Sequence, residues 1–446
     1  MLTMDSNDIL TRVGPGTPMG ELMREYWIPA CLPQELAPDA TPMRIKLLGE
    51  KLIAFRDSAG RIGIMDHRCP HRCASMFFGR NEESGIRCAY HGWKFDVEGN
   101  CLDQPNLPED ARFTERVKAK AYKVAELGGI VWVYMGKRKV APPLPDLECL
   151  SLPTDERMVL CHQRDCNWLQ SLEGDIDTSH FGFLHAGSVK PDDVDPDTMH
   201  RWGLINRTPR YHVKETDWGT MYTAYRPADP GNFFYRYAHF MFPCFALVPD
   251  GTFSNMIQAT LSVPLDDTHT MTYNLAWTKR EQALRTLKDG SPIPGAALTR
   301  DFLPTTTDWL GRWRLKANRG NDYLVDREEQ RENRSYSGIQ GIGQQDQAMV
   351  ESMEGPDEGI VDRSFEHLAV SDRMIAVTRR RLIAAAQAHQ KDGSVPATVD
   401  RPDLNRGARG GSFIASDKVD WLDAYYEELR KAQSPMDFLQ RPQAAE

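Results

Sequence analysis

Two short segments each pair a cysteine with a histidine: Cys69-Pro-His71 within DHRCPHRCAS at 66–75, and Cys88-Ala-Tyr-His91 within CAYHGWKF at 88–95. Turn-forming residues surround both pairs, so each reads as a tight loop that holds its side chains in place. Thiolate sulfur and neutral imidazole nitrogen on stiff loops are metal donors, and four of them complete one centre. A structural zinc site is one reading, although zinc fingers usually present a cysteine pair and then a histidine pair. A binuclear iron–sulfur cluster suits the mixed loops better, with both cysteines on one iron and both histidines on the other. Imidazole ligation raises the potential of such a cluster, which makes it an intermediate electron carrier. Cys73 and Cys101 lie nearby but outside this spacing and are read as packing residues.

A second group lies in GDIDTSHFGFLH, where Asp177, His180 and His185 are spaced D-x-x-H-x-x-x-x-H. Asp177 and His180, three apart, are expected on one helix face. His185 lies five residues beyond His180, so both imidazoles reach one metal only if the helix ends or bends near Gly182. Two histidines and one carboxylate form the facial triad of non-haem Fe(II) oxygenases, which leaves positions open for dioxygen and substrate. Taken alone, two histidines near a helix end are as readily hydrogen-bonded core or surface residues.

The order of these motifs carries more than either one. C-x-H, then C-x-x-H followed by Gly92 and Trp93, then D-x-x-H-x-x-x-x-H resemble the oxygenase component of the Rieske non-haem iron oxygenases. NWLQSLEGDIDTSH and ESMEGPDEGIVDRSFEHL look like the phthalate dioxygenase branch of that family. The resemblance implies a Rieske [2Fe–2S] cluster on Cys69, His71, Cys88 and His91, and a mononuclear Fe(II) on His180, His185 and a distant aspartate. Asp346 in GQQDQAMVESM is the best match, favoured by a Q-D-x-x-x-x-E pattern ending at Glu351, with Asp357, Asp362 and Asp372 as rivals. Asp177 is then a bridge between a cluster histidine and an iron histidine. In this family the bridge crosses a subunit boundary, which implies a homotrimer or hexamer.

The implied activity is addition of O2 to an aromatic carboxylate, a phthalate isomer or related benzoate, to give a cis-dihydrodiol. Electrons would come from NAD(P)H through a separate reductase, since the chain holds no flavin-reductase or plant-type ferredoxin motif. The basic run TRRRL at 378–382 is either a docking patch for that partner or a solvated helix face. Arg207 and Arg210, in NRTPRYHVKETD, stand about where the branch places a substrate arginine, a residue suited to grip a carboxylate. Phthalate-specific members carry a second arginine on a later strand, but HFMFPCFALVP offers His239 and Cys244 and no arginine. That departure speaks against an ortho-dicarboxylate and leaves isophthalate-like, monocarboxylate and phenoxy-type acids. Phe240, Phe242 and Phe245 are ring contacts or core. Competing readings are a Rieske monooxygenase or O-demethylase of a methoxy- or phenoxy-substituted acid, a pure electron-transfer Rieske protein, and a zinc-stabilised binding module. Colour separates the last, because a Rieske protein is reddish-brown and a zinc protein colourless.

These residues need a scaffold. The chain has 446 residues, enough for two or three domains. An N-terminal helical segment, 1–42, includes PMGELMREYWIPACL. Short alternating segments broken by SAGR, EGN and PNLPED make 43–145 an antiparallel β domain around the cysteine and histidine loops. A Pro-rich stretch at 141–153 marks the boundary. Residues 146–446 read as a larger catalytic domain with an antiparallel sheet flanked by helices, among them 371–390 and DWLDAYYEELRKA. The fold class is therefore α+β.

A net charge of −9 argues against nucleic acid as a partner, and no run of about 18 apolar residues supplies a membrane span. The start, MLTMDSND, lacks a secretory pattern, and nine cysteines, an odd count, point to reduced thiols; a cytoplasmic location is expected.

Overall fold

A computed structural model of the chain describes residues 2–282 and 284–434. The N-terminal segment is helical over Met4–Thr11 and Pro18–Arg24, with Thr3 and Thr17 capping the two helices through their side chains. The chain then extends, and Trp27–Cys31 is a strand, not the helix continuation that PMGELMREYWIPACL suggests. It pairs antiparallel with Ile130–Tyr134, which pairs in turn with Lys123–Leu127. Between these lie a sheet of Met43–Leu47, Glu50–Arg56 and Ile62–Asp66, and a smaller one of Arg80–Glu82, Gly85–Arg87, Lys94–Phe95 and Cys101–Asp103.

The larger region is built on one eight-stranded antiparallel sheet. Its edge strand Arg157–Arg164 pairs with Thr270–Trp277, which pairs with Gln258–Pro264. The sheet continues through Phe245–Leu247, Asn232–Met241, Gly219–Pro227 and Arg210–Thr216, and Gly411–Ser416 adds to Asn232–Met241. The architecture is α+β, an N-terminal region of antiparallel sheets followed by a larger sheet with helices.

Trp168–Ile176 is the helix that positions the candidate iron ligands. Asn167 caps it, accepting from the Leu169 N–H while its amide donates to the Thr11 and Asp267 carbonyls. Leu169, Leu172 and Ile176 are fully buried, each worth about 1.5–3 kcal/mol relative to exposure. The helix is also held by charge. Glu173 accepts from Arg363 at 3.0 Å and from Arg379 at 2.6 and 2.9 Å, all three side chains being buried. Burial pushes the Glu173 carboxyl up, but the two guanidiniums outweigh it and hold it below the usual range. Arg363 donates also to Asn7, and the Leu2 N–H reaches the Arg363 carbonyl, so the N-terminal helix is fastened to the same knot.

Arg379 belongs to the TRRRL run on the helix Arg373–Asp392. Its neighbours are also engaged within the chain: Arg380 pairs with Glu215, and Arg381 donates to the Thr216 carbonyl. The run therefore fastens the helix to its own domain through Arg379 and Arg381, while Arg380 stays largely exposed beside Glu215.

Removing Glu173 leaves two buried cations facing each other. Glu173→Ala is expected to lower unfolding free energy by about 3–5 kcal/mol, read as an earlier urea midpoint at neutral pH.

Candidate metal centres and the cavity between helix and sheet

Both cysteine–histidine loops are hairpin tips. The first follows Ile62–Asp66, closed by an antiparallel bridge between Arg68 and Ser75, and the second joins Gly85–Arg87 to Lys94–Phe95. Within them the Cys69 N–H reaches the Ala74 carbonyl and the Cys88 N–H the Trp93 carbonyl, each at 2.8 Å. Cys69 and Cys88 are buried, and their thiols hydrogen-bond to each other. Burial pushes the Cys69 thiol up to about 12, while the His71 and Arg72 N–H groups aimed at its sulfur favour the thiolate. His71 and His91 have ring centroids 4.5 Å apart, and His71 stacks on Trp93 at 4.4 Å. Trp93 is fixed by its Nε1 donating to Asn106. Gly92 sits at φ +78° with Pro105 against the position a Cβ would occupy, so a side chain is excluded there. Two sulfurs and two imidazoles converging from two loops, with N–H donors toward sulfur, fit a [2Fe–2S] cluster. Cys101 is buried as expected of a packing residue, but Cys73 is exposed at φ +58°.

The second constellation rests on the end of Trp168–Ile176. Asp177 and His180 were expected on one helical face; the α-helix instead stops at Ile176, and Asp177 is extended at φ −91°, ψ 124°. Its Oδ1 accepts from the Ser179 N–H at 2.7 Å and the Ser179 hydroxyl at 2.8 Å, an Asx turn that competes with continued helix. A short 3₁₀ turn, Ser179–Gly182, follows. That geometry brings the rings of His180 and His185 to 4.9 Å.

Asp346 meets them from the helix Ile342–Ser352. Its Oδ1 lies 3.1 Å from His185 Nε2 and 3.7 Å from His180 Nε2, and one ligand atom from each residue falls within 4.8 Å of the others. Burial pushes the Asp346 carboxyl up, yet His185 and His180 hold it at about 2. Burial likewise opposes ionisation of Asp177, which its bonds to His180 and Ser179 hold at about 2. The rivals are elsewhere: Asp357 pairs with Arg12, Asp362 accepts from Ser364, and Asp372 accepts from the Ala369 N–H.

The far nitrogens of the histidines are also occupied. Asp177 Oδ2 stands 3.2 Å from His180 Nδ1, and Gln345 Oε1 stands 2.7 Å from His185 Nδ1. Gln345 Nε2 donates to the Gly295 and Ile339 carbonyls, so its oxygen must face the histidine. Both contacts favour the tautomer that donates from Nδ1 and turns an unprotonated Nε2 toward Asp346, the form a metal ligand needs. The N,N,O donor set suits Fe(II). Gln345 was invisible as a functional residue; GQQDQ drew attention only to its aspartate. Glu351, part of the same pattern, braces the surrounding chain instead, accepting from the Asp165 N–H, Gln347 and Tyr323.

A cavity of about 310 Å³ opens beside the triad. Its floor is the sheet face that carries Met158, Leu160, His162 and Arg164, alternate residues of the edge strand. Arg236, Arg280, Arg285 and Arg300 also line it. Arg285 is paired with Asp250 at 2.7 Å, but among the described residues Arg164, Arg236, Arg280 and Arg300 have no carboxylate within ion-pair distance.

Arg207 and Arg210 are not at this cavity. Arg207 donates to the Gly187 and Val189 carbonyls and braces the loop after His185, and Arg210 is exposed at the start of its strand. Phe240, Phe242 and Phe245 are core residues. His239 is buried with its imidazole bonded to Trp218 and the Arg409 carbonyl. The cavity arginines lie singly on separate strands and loops, a pattern that no spacing rule detects; Arg236 stands just three residues before HFMFPCFALVP.

A cluster-binding hairpin region joined to a sheet domain with an N,N,O metal triad and an adjoining cavity defines an iron-dependent oxygenase fed by an electron carrier. Comparison with known proteins agrees. A Rieske [2Fe-2S] domain model matches residues 26–123, and a LigXa C-terminal domain-like model matches 133–437. The chain is 48% identical to the 3-chlorobenzoate-3,4-dioxygenase oxygenase subunit of Comamonas testosteroni, over 96% of this chain and 98% of that protein. It is 37% identical to the phthalate 4,5-dioxygenase oxygenase subunit of Pseudomonas putida, over 95% and 94%. The structure of Pseudomonas putida CBB5 NdmA QL mutant with caffeine shares the fold, at a TM-score of 0.56 and 18% identity over 90% of this chain and 99% of that one. The chain belongs to the Rieske non-haem iron oxygenases, and it is an oxygenase component of the aromatic dioxygenase type. Its cofactors are a Rieske [2Fe–2S] cluster and a mononuclear non-haem iron.

Gln345→Leu removes the acceptor for His185 Nδ1 and is expected to weaken iron retention about 10- to 100-fold while leaving the Rieske absorbance intact, as iron analysis after chelator dialysis would show.

Proposed function

We propose that this chain adds both atoms of O2 to the ring of an aromatic carboxylate to give a cis-dihydrodiol. The observation that carries the reading is the cavity beside the triad, where Arg164, Arg236, Arg280 and Arg300 make no direct ion pair among the described residues and keep buried N–H donors for an anion. The names of the two relatives, a chlorobenzoate and a phthalate enzyme, agree with that anion being an aryl carboxylate.

In this reading Cys69, His71, Cys88 and His91 hold the cluster, and His180, His185 and Asp346 hold the iron. An iron held by the triad would supply O2 activation, and a cluster held by the two loops would supply single electrons. Asp177 and Gln345 orient the two histidines through their Nδ1–H groups. The sheet wall and the helices exclude water from the ring, and the cavity arginines orient the acid. The overall change consumes the arene, O2, a pair of electrons and a pair of protons.

The electrons come from NAD(P)H through a separate reductase. The working particle is a homotrimer or hexamer in which Asp177 links the iron site to a neighbour's cluster. The domain limits follow the same logic: a helical segment 1–42, a cluster domain 43–145 and a catalytic domain 146–446, acting in the cytoplasm.

Purified holoprotein with a compatible reductase, NADH and ¹⁸O₂ is expected to convert a phthalate isomer or 3-chlorobenzoate to a dihydrodiol carrying both labelled atoms, or, where oxygen enters at the chlorine-bearing carbon, to the doubly labelled catechol left by loss of HCl. A phenol with formaldehyde from methoxybenzoates, and no dihydrodiol from any acid, would instead establish an O-demethylase.

A further inference from the structure

Several cations of the cavity wall keep buried donors without acceptors, Arg236 at Nη1 and Arg280 at Nε among them. Arg300 donates through Nη2 to Asn274 at 2.9 Å, while its Nη1 is buried without an acceptor. His162, 1% exposed, has no partner at either ring nitrogen, and Arg164 bonds Ser171 through Nη1 but leaves Nε unpaired. The three converge. His162 and Arg164 are neighbours on one face of the edge strand; Thr272, opposite His162, lies two residues before Asn274, the residue that holds Arg300.

Buried donors without acceptors are uncommon in folded proteins, and three that converge beside Asn274 call for a missing acceptor. An anion with two oxygens supplies it. Burial and Arg164 bring Arg300 down to about 10 against the opposing pull of Asp346 and Asp175, which leaves it charged at neutral pH. Burial drives His162 well below its ordinary value, so its imidazole is neutral and offers one N–H.

Position favours this group over the other arginines. Arg285 is neutralised by Asp250, which also faces Arg236 and Arg280 electrostatically. Arg300 packs beside Gly343, where a Cβ would lie 3.6 Å from its Nη2, and Gly343 opens the helix turn that ends at Asp346. Three residues of helix span roughly 5 Å. A carboxylate on Arg300 thus leaves its ring beside the triad.

We propose that the substrate's carboxylate is held by Arg300, with His162 donating a second hydrogen bond and Arg164 supplying fixed positive charge. This assignment rests on the aromatic-acid reading and names the part of the cavity that recognises the acid. Arg207 and Arg210 have no role in it.

The test is calorimetric titration of anaerobic holoenzyme with 3-chlorobenzoate and phthalate, each against its amide. Wild type is expected to bind at least one acid in preference to its amide. Arg300→Gln should weaken that acid roughly 10- to 150-fold, the range for a hydrogen bond to a charged group, and leave the amide unchanged. The unchanged amide affinity separates loss of a carboxylate partner from a general disruption of the cavity, which would weaken acid and amide alike. Should the neutral variant fail to fold, Arg300→Lys keeps the charge without the planar fork and is expected to lose about tenfold. Retention of the acid preference in Arg300→Gln, or its loss in Arg207→Gln alone, overturns the assignment. If wild type binds neither acid, the aromatic-acid reading itself fails, and this assignment with it.

Discussion

The catalytic half of the molecule depends on where one helix stops. Were Trp168–Ile176 to continue through His185, His180 and His185 would project about 140° apart around its axis, at 100° per residue. Asp177 prevents this. Its carboxylate takes the Ser179 N–H and hydroxyl, ends the helix, and offers its second oxygen to His180. One side chain therefore breaks the helix, turns the chain and selects the histidine tautomer.

The surroundings make that turn rigid. The helix before it is fixed by Glu173 between two buried arginines, and its partner helix by Glu351 and by Gln170 donating to the Val350 carbonyl. Removing one member of such a network costs more than the network contributes, because it strands the others. The cavity follows a contrary logic. Arg164 and His162 are buried and Arg300 is half-buried, each with a buried donor left unpaired, a local cost to the fold that a charged ligand offsets on arrival.

Much of this was legible in the sequence because the ligands lie close together in it. Two hairpin tips and the 177–185 turn each carry their donors within a few residues, so spacing singled out Cys69, His71, Cys88, His91, His180 and His185 as candidates, and the family resemblance gave them their roles. Asp346 needed the family resemblance, since 161 residues separate it from His185. Gln345, His162 and Arg300 were missed because their roles depend on strand alternation and loop return, which no local motif encodes. Arg207 misled because arginine suits carboxylates in general, whereas here two backbone carbonyls occupy it. The helix predicted through residues 26–31 failed because the bulky run YWIPAC pairs with Ile130–Tyr134, a tertiary contact outweighing local pattern.

The central claim is that His180, His185 and Asp346 form one metal site separate from the cluster. Iron analysis of the Asp346→Ala protein tests it most directly, with each of Asp357, Asp362 and Asp372 replaced in parallel. The account predicts about three irons per chain in wild type, two from the cluster and one from the triad, falling to about two in Asp346→Ala alone with the Rieske spectrum preserved. An unchanged iron content in Asp346→Ala, or its loss in one of the other three, would contradict it.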